Sequence, residues 1–245
     1  MDLGVWATWY DLADETRESY LEWAHSTYLP FLKQLPGYAW VAHYRHEGGG
    51  AKMKKVSDTV VGRTSDDIGS GTQYLMLVGA PSAHVFFKPT TREIPMPEGF
   101  TKMLALRLGV REAVFTEEAR VNGPAAYNEG PGSVPGPAIQ MGSFRMRTLE
   151  QEFDLARWYA QFRMPYMAQM PGCIATRKLV GVAGWAKHAV LYEFESLAMR
   201  LKHFEEPHES LSLDKTHWSS RITGNTVHTP GSPTIGVRIW PALRS

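Results

Sequence analysis

The sequence predicts an α+β fold made of two tandem β-α-β-β-α-β modules, and three observations support this prediction. The segment PFLKQLPG at 30–37 recurs as PYMAQMPG at 165–172. The similarity extends backward to Trp23 and Trp158, and forward into strand-like segments in both halves. Each half also shows the same order of elements. We therefore expect a duplicated chain whose halves share one fold.

Strands rich in aromatic or β-branched residues open the two halves, at 4–11 and 139–147. The next strand of each half is expected after a Pro-Gly pair, because glycine suits the position that follows a helix. The predicted second strands cover 38–45 and 173–182, and the predicted third strands cover 73–79 and 188–194. This order of elements is the ferredoxin-like split motif.

A helix is expected between the first two strands of each half. Asp14 is the expected N-cap of the first helix, and Thr148 followed by Gln151 resembles a capping box for the second. Pro30 and Pro165 interrupt the two helices at the same point. Proline lacks an N–H group and crowds the carbonyl group four residues earlier, so each helix is expected to kink there.

Glycine and proline divide the chain further. The expected boundaries are a first module at 1–121, a semi-rigid Gly/Pro-rich linker at 122–138 and a second module at 139–245. Two insertions break the symmetry of the first half. The polar, Gly-rich segment 46–70 is either a lid or binding loop or a disordered surface loop, and the proline-rich segment 88–100 is expected to be ordered.

Composition excludes several classes of partner. The formal net charge is only +1 and the basic residues are scattered, so no nucleic-acid partner is expected. The sequence has neither a secretory signal nor an apolar run of membrane-spanning length, so no membrane partner is expected and the predicted location is cytoplasmic. The single cysteine, Cys173, is expected to pack in the interior.

The segment YLEWAHSTYLPFLKQLPGYAWVAHYR at 20–45 resembles the signature of EthD-like proteins in the dimeric α/β-barrel superfamily. In that signature a helix of the form W-x4-H-x-P precedes a Leu-Pro-Gly turn. Tyr28 and Arg163 stand at the histidine position in this chain. The resemblance implies that two fused ferredoxin-like modules form an intrachain barrel of the dimeric type. It also implies a small-molecule pocket between each sheet and its helices.

The candidate catalytic residues lie in the first half. Strand alternation places His43 on the opposite face from Trp40 and Tyr44. His43 and His25 are candidate general acids or bases, because the pKa of histidine lies near neutrality. Tyr28 is a candidate donor to a developing oxyanion.

Five further residues are predicted to contact the substrate. Arg163 is singled out because an arginine that faces an apolar sheet requires an anionic or carboxylate partner. The predicted substrate-binding set is Trp40, Tyr44, Trp23, Arg163 and His188.

No metal site is predicted. His203, His208 and His217 stand among glutamates, but their spacings are not those of a helical metal-binding pair, and Pro207 interrupts the segment. We therefore expect an exposed charged helix and loop there. No cofactor is expected, with haem held by a helical histidine as the alternative.

These features favour a cofactor-independent enzyme of lyase, isomerase or cyclase type. It would perform acid/base chemistry on a small, apolar or aromatic, carbonyl-bearing metabolite. Two alternatives stay open, which are a non-catalytic ligand-binding or scaffold protein and a haem-binding enzyme similar to a dehydratase. The superfamily commonly forms homodimers, so a homodimer is also considered.

Overall fold

The first half of the chain alternates strands and helices in a computed structural model that describes residues 2–126 and 133–243. Its elements are β1 (Gly4–Leu12), α1 (Asp14–Trp23), a π-helical turn (Ala24–Tyr28), α2 (Leu29–Gln34), β2 (Trp40–His46), α3 (Ala51–Thr59), β3 (Gly62–Arg63), β4 (Tyr74–Ala80), a 3-10 helix (Ala83–Phe86), α4 (Phe100–Leu104) and β5 (Arg107–Asn122).

The second half repeats this order with a longer helical region near its end. Its elements are β6 (Ala138–Met146), α5 (Leu149–Trp158), a π-helical turn (Tyr159–Arg163), α6 (Met164–Met167), β7 (Cys173–Ala183), β8 (His188–Phe194), α7 (Leu197–Arg200), a π-helical segment (Leu201–Glu209), α8 (Ser210–Leu213), α9 (Trp218–Asn225), β9 (Thr226–His228) and β10 (Thr234–Trp240).

Eight of these strands close into an antiparallel barrel. The order is β2–β4–β1–β5 in the first half and β7–β8–β6–β10 in the second. The pairs β5–β7 and β10–β2 join the halves at two seams. The described residues thus form a mixed α+β fold with a closed eight-stranded barrel of the dimeric α/β type. Helices pack on the outside of the barrel.

The barrel interior is filled with side chains. Strand alternation turns Trp40, Ala42 and Tyr44 inward, where they pack in one buried cluster with residues of both halves. The Trp40 indole donates to Asp2 over 2.7 Å, and the Tyr44 hydroxyl donates to the carbonyl oxygen of Gly136 over 2.9 Å. Space for a ligand therefore lies between the sheet and the helices, not inside the barrel.

A buried ion network crosses the β5–β7 seam. Arg177 is 1% exposed, and its side chain bonds Glu117 over 2.7 Å and Asp2 over 3.2 Å. Arg120 adds a bond of 2.8 Å to Asp2. Burial acts to raise the pKa of Asp2, but the charge of Arg177, the indole of Trp40 and the charge of Arg120 hold it below its ordinary value. The network ties the N-terminus to the second half.

Each long helix accommodates its proline by a π-helical turn. These turns, Ala24–Tyr28 and Tyr159–Arg163, end just before Pro30 and Pro165. A π turn shifts the hydrogen-bonding register, so the missing N–H of proline leaves less of the ladder unpaired. The duplicated proline thus fixes the same irregularity in both halves.

One of the two expected helix caps is confirmed and the other is wrong. Thr148 caps α5 by accepting from the N–H of Gln151 over 3.3 Å, as expected. The expected N-cap Asp14 was wrong, because Ala13 holds the N-cap position and Asp14 is the first residue of α1.

Cys173 is fully buried, and burial raises the pKa of its thiol to about 11. Part of the predicted linker, 127–132, lies outside the described residues.

The insertions are ordered where the structure describes them. Segment 46–70 contains α3, and segment 88–100 buries Ile94 and Phe100 in the first-half core. Among the described residues, no helix has the length and apolar character needed to cross a bilayer.

Candidate functional site

A cavity of about 80 Å³ lies between the sheet and the helices of the second half. Pockets for drug-sized ligands typically measure roughly 300–1,000 Å³, so this cavity suits a smaller molecule. Its walls are mainly apolar and aromatic, with a few polar groups. The residues that carry the argument below are Met53, Val56, Gln140, Trp158, Tyr159, Arg163, Tyr192, Phe204, Glu209 and His228.

Arg163 supplies a cation to this cavity. It ends the π-helical turn ahead of Pro165 and is only 5% exposed. Its guanidinium carbon lies 4.5 Å from the ring centroid of Trp158 and 5.1 Å from that of Phe204. The Nε and Nη1 atoms are buried and have no hydrogen-bond partner among the described residues. Because a buried unpaired donor is costly, this side chain is poised for an anionic or carbonyl oxygen.

Glu209 is the acidic group of the same cavity. It ends the π-helical segment and is 5% exposed. Burial raises the pKa of its carboxyl group, and this effect outweighs the opposing charges of Arg163 and Arg200. A raised pKa makes the ionised carboxylate a stronger base, so Glu209 is a candidate for proton transfer.

Two more titratable side chains line the cavity. Burial lowers the pKa of His228 to about 3, so its imidazole is neutral at ordinary pH. Its Nδ1 lies 2.9 Å from the hydroxyl of Ser232. Burial raises the pKa of Tyr159 well above its ordinary value. Both are therefore neutral hydrogen-bonding groups in the cavity wall.

The first half contains a hydrogen-bonded chain of three side chains. The Tyr10 hydroxyl lies 2.8 Å from His43 Nε2, and His43 Nδ1 lies 2.9 Å from His25 Nε2. Burial lowers the pKa of His43 well below its ordinary value, and it also lowers the pKa of the half-buried His25. The chain connects a buried phenol to a half-buried imidazole, so the structure brings the two predicted histidines together.

The space around this chain is occupied by the protein's own side chains. The guanidinium of Arg107 lies over the rings of Tyr10 at 4.5 Å, Tyr28 at 5.1 Å and Tyr20 at 5.7 Å. Its Nε donates to the Tyr20 hydroxyl over 2.5 Å. Phe100 of α4 packs against the Tyr28 ring at 6.2 Å between centroids. Tyr28 is 1% exposed and therefore meets protein, not an open cavity.

The other predicted substrate contacts lie apart from one another. Trp40 and Tyr44 face the barrel interior, on the opposite side of the sheet from His43, so a ligand beside His43 would not touch them. Trp23 stacks on Tyr28 at 5.3 Å within the first-half core. Of this predicted set, Arg163 is the member that lines the second-half cavity.

His188 belongs to a separate polar chain. Its Nε2 lies 2.6 Å from Glu152, and its Nδ1 lies 3.0 Å from the amino group of Lys178. Lys178 also bonds Glu118 over 3.1 Å. Lys178 aligns with His43 when the two Pro-Gly segments are matched, so both halves bury a basic group at the equivalent position of the second strand.

The segment 203–217 corrects the expectation of an exposed charged helix. Glu205, His208 and Glu209 are buried, with exposures of 0%, 0% and 5%. The dense charges concealed this burial in the sequence. The recurrence of Phe204 and His208 at helical spacing was the signal that could have revealed the buried face.

Neither a metal ion nor haem suits the side chains that the structure describes. Within 2–126 and 133–243, no group of three or more His, Cys, Asp or Glu residues could hold a metal ion. His208 is buried and both ring nitrogens lack partners among the described residues, but it does not line the cavity, and the ring of Tyr166 packs against it at 3.9 Å between centroids. A porphyrin is at least as large as a typical drug molecule, whose pockets measure roughly 300–1,000 Å³, so it does not fit the cavity of about 80 Å³. We derive no step through haem.

No family model and no curated protein matches the chain. Many solved structures share its fold. A Fusobacterium nucleatum protein provisionally described as a monooxygenase is 8% identical, with a TM-score of 0.57 and coverage of 96% of this chain and 93% of that one. A protein provisionally described as a chlorite dismutase is 12% identical, with a TM-score of 0.55 and coverage of 98% and 95%. An anthrone oxidase-like protein is 14% identical, with a TM-score of 0.53 and coverage of 97% and 90%. These similarities show the dimeric α/β-barrel fold.

Proposed function

We propose that the protein is an enzyme that processes a small molecule in the second-half cavity. The observation that carries the proposal is the buried Arg163, whose Nε and Nη1 groups lack partners among the described residues and border an aromatic cavity. The substrate would place a carbonyl, phenolate or carboxylate oxygen on the guanidinium. Its apolar body would contact Trp158 and Phe204.

The proposed chemistry is proton transfer next to a carbonyl group. Glu209 would remove the proton, because burial raises the pKa of its carboxyl group and so makes the carboxylate a stronger base. The electron pair would move onto the carbonyl oxygen, and Arg163 would stabilise the resulting oxyanion. Return of the proton to another carbon atom would complete an isomerisation, and loss of a leaving group would complete an elimination. No cofactor enters these steps.

His43, His25 and Tyr28 form a second proposed acid/base set. The hydrogen-bonded chain of Tyr10, His43 and His25 supports it. A ligand could reach Tyr28 only if Phe100 and α4 moved away from it. We therefore place the principal site in the second half and assign this set to the same chemistry as an alternative location.

The finer classification is also a proposal. We infer that the halves are tandem ferredoxin-like modules of EthD-like type, which the recurring strand order and the shared Pro-Gly segments support. Cofactor independence, a cytoplasmic location and a homodimer belong to the same proposal. Light scattering of the purified protein tests the homodimer.

Deuterium exchange tests the enzymatic proposal. Acetophenone, a small ketone with one aromatic ring and acidic C–H groups next to its carbonyl, would be incubated with the protein in D₂O and followed by proton NMR. We expect catalysed exchange, and we expect Arg163→Met to slow it by about 10²-fold or more. Arg92→Met, which removes an exposed arginine bonded to Glu112, is the matched control. Tight ligand binding without exchange across a panel of such ketones would favour the non-catalytic alternative.

A further inference from the structure

The insertion of the first half forms part of the second-half cavity. Met53 and Val56 of α3, together with Val61, lie in the cavity wall. Met53 is 6% exposed and Val56 is 1% exposed, so both side chains are covered by the second half. The second half has no equivalent segment, because β7 and β8 are separated only by residues 184–187, all of which the structure describes. One cavity is thus built from both halves.

A single carboxylate holds the start of α3. Glu205 accepts from the N–H of Gly50 over 2.9 Å and from the N–H of Met53 over 3.1 Å. The N-cap residue, Gly50, has no side chain with which to cap the helix. Glu205 therefore supplies the cap from the second half, and its negative charge suits the positive end of the helix dipole.

The same carboxylate connects the helix to the cavity wall. Glu205 bonds Arg200 over 2.7 Å, and the Nε of Arg200 donates to Gln140 over 2.8 Å. Gln140 lines the cavity. At the rim, the amino group of Lys52 bonds the carboxylate of Glu206 over 2.8 Å and the hydroxyl of Ser210 over 2.9 Å.

The apolar contacts of α3 are few compared with those of the main core. Met53, Val56 and Ile235 form a small buried cluster separate from the three large ones. Three consecutive glycines, 48–50, precede the helix, and Gly48 has a φ of 81°. Beyond the helix, β3 pairs with β9 and anchors the other end. A glycine run at one end and an anchored strand at the other give α3 the construction of a hinged cover.

We propose that α3 is a lid over the second-half cavity, and that Met53 and Val56 set the size of the substrate. This inference rests on the proposed function of that cavity. The lid admits a molecule with one aromatic ring and an anionic or carbonyl oxygen, and it excludes a fused bicyclic molecule of the same head group. Release of the Glu205 cap opens the lid.

Ligand size tests the selectivity. Benzoate and 2-naphthoate present the same carboxylate to Arg163 and differ by one ring, and calorimetry measures both dissociation constants. Met53→Ala and Val56→Ala are expected to shift the preference toward 2-naphthoate by about 10-fold or more, the effect of methylene-sized changes in an apolar pocket. Met96→Ala, which removes a methionine that packs on the first-half core, is the matched control.

Association kinetics test the movement. An added Cβ at Gly50 would lie 2.5 Å from Glu205 Oε1 and would displace the cap. Gly50→Ala is expected to speed benzoate association, followed by intrinsic tryptophan fluorescence, by roughly 2- to 30-fold, the range that loss of a helix cap implies. Amide exchange in 51–59 should accelerate with it. Gly224→Ala is the control, since its Cβ would meet nothing within 4 Å.

The possible outcomes distinguish the lid proposal from the proposal of a ligand site at Arg163. Benzoate binding that is lost in Arg163→Met, with unchanged selectivity in Met53→Ala and Val56→Ala and unchanged association in Gly50→Ala, overturns the lid and leaves the site intact. Absence of binding, or equal binding by Arg163→Met, overturns both. Altered selectivity and faster association confined to the α3 variants support the lid.

Discussion

Tyr28 and Arg163 end the two π-helical turns at equivalent positions, yet of the two only Arg163 lines the second-half cavity. In the first half Arg107 reaches over Tyr28 from β5 and helps to fill the space. In the second half the cation comes from the helix itself, and two of its nitrogens stay unpaired among the described residues. The equivalent position is therefore filled by side chains in the first half, whereas it borders a cavity in the second half.

Glu209→Gln is expected to lower deuterium exchange on acetophenone by about 10²–10⁴-fold, because it removes the proposed base. The same substitution is expected to stabilise the folded protein relative to the wild type as pH rises. Burial raises the pKa of Glu209, so its contribution is present below the ordinary pKa of glutamate and is lost as pH rises through the folded value. Between acid and neutral pH, the melting temperature of Glu209→Gln minus that of the wild type should increase as pH rises. A constant difference would contradict the raised pKa.

Arg177→Met is expected to lower the free energy of unfolding by about 3–5 kcal/mol, because it leaves buried carboxylates without their cation. The pKa of Asp2 is lowered in the folded state, so the stability it contributes is present above the ordinary aspartate pKa and is lost as pH falls through the folded value. Urea denaturation at two pH values measures both effects. Arg92→Met controls for the loss of an exposed arginine, and an equal cost in the two variants would contradict the account.

Tyr10→Phe is expected to cost about 1–3 kcal/mol of stability, because it leaves His43 Nε2 buried with one fewer partner. The pKa of His43 lies well below its ordinary value, so the unfolded chain takes up protons first. Stability should therefore fall as pH drops below 6.5, the ordinary value for histidine. Imidazole NMR signals that titrate near 6.5 for His43 would show that the ring is not held neutral.

The two halves are expected to unfold together. The halves are joined at the seams β5–β7 and β10–β2, and residues of both halves fill the barrel interior, so separating them would expose that shared cluster to water. Circular dichroism and tryptophan fluorescence should follow the same urea transition, and the calorimetric and van't Hoff enthalpies should agree. Two separate transitions would indicate independent halves.

Strand positions were predictable because two signals coincide in them. The segments predicted at 139–147 and 188–194 form β6 (Ala138–Met146) and β8 (His188–Phe194). Alternation gives the period of a strand, and the repeat around Pro30 and Pro165 gives each half an independent alignment. The same repeat singled out Arg163, which lines the cavity.

The rest of the site depends on contacts between distant segments. Glu205 and Glu209 lie in a charge-rich stretch whose local pattern favours exposure, and Glu205 is bonded to the start of α3, which belongs to the other half of the chain. Only the folded chain reveals that the 46–70 insertion covers the second half. Trp40 and Tyr44 differ, since strand alternation already separated them from His43.

Calorimetric titration of benzoate into the wild type, Arg163→Met and Tyr28→Phe tests the central claim most directly. The account predicts one benzoate per chain, binding weakened about 10²-fold or more in Arg163→Met, and nearly unchanged binding in Tyr28→Phe. Removing the buried cation of the cavity should cost that much, because truncating one partner of a buried charged pair costs about 2–5 kcal/mol. Two bound molecules per chain, or weaker binding in Tyr28→Phe than in Arg163→Met, would contradict a single site built on Arg163.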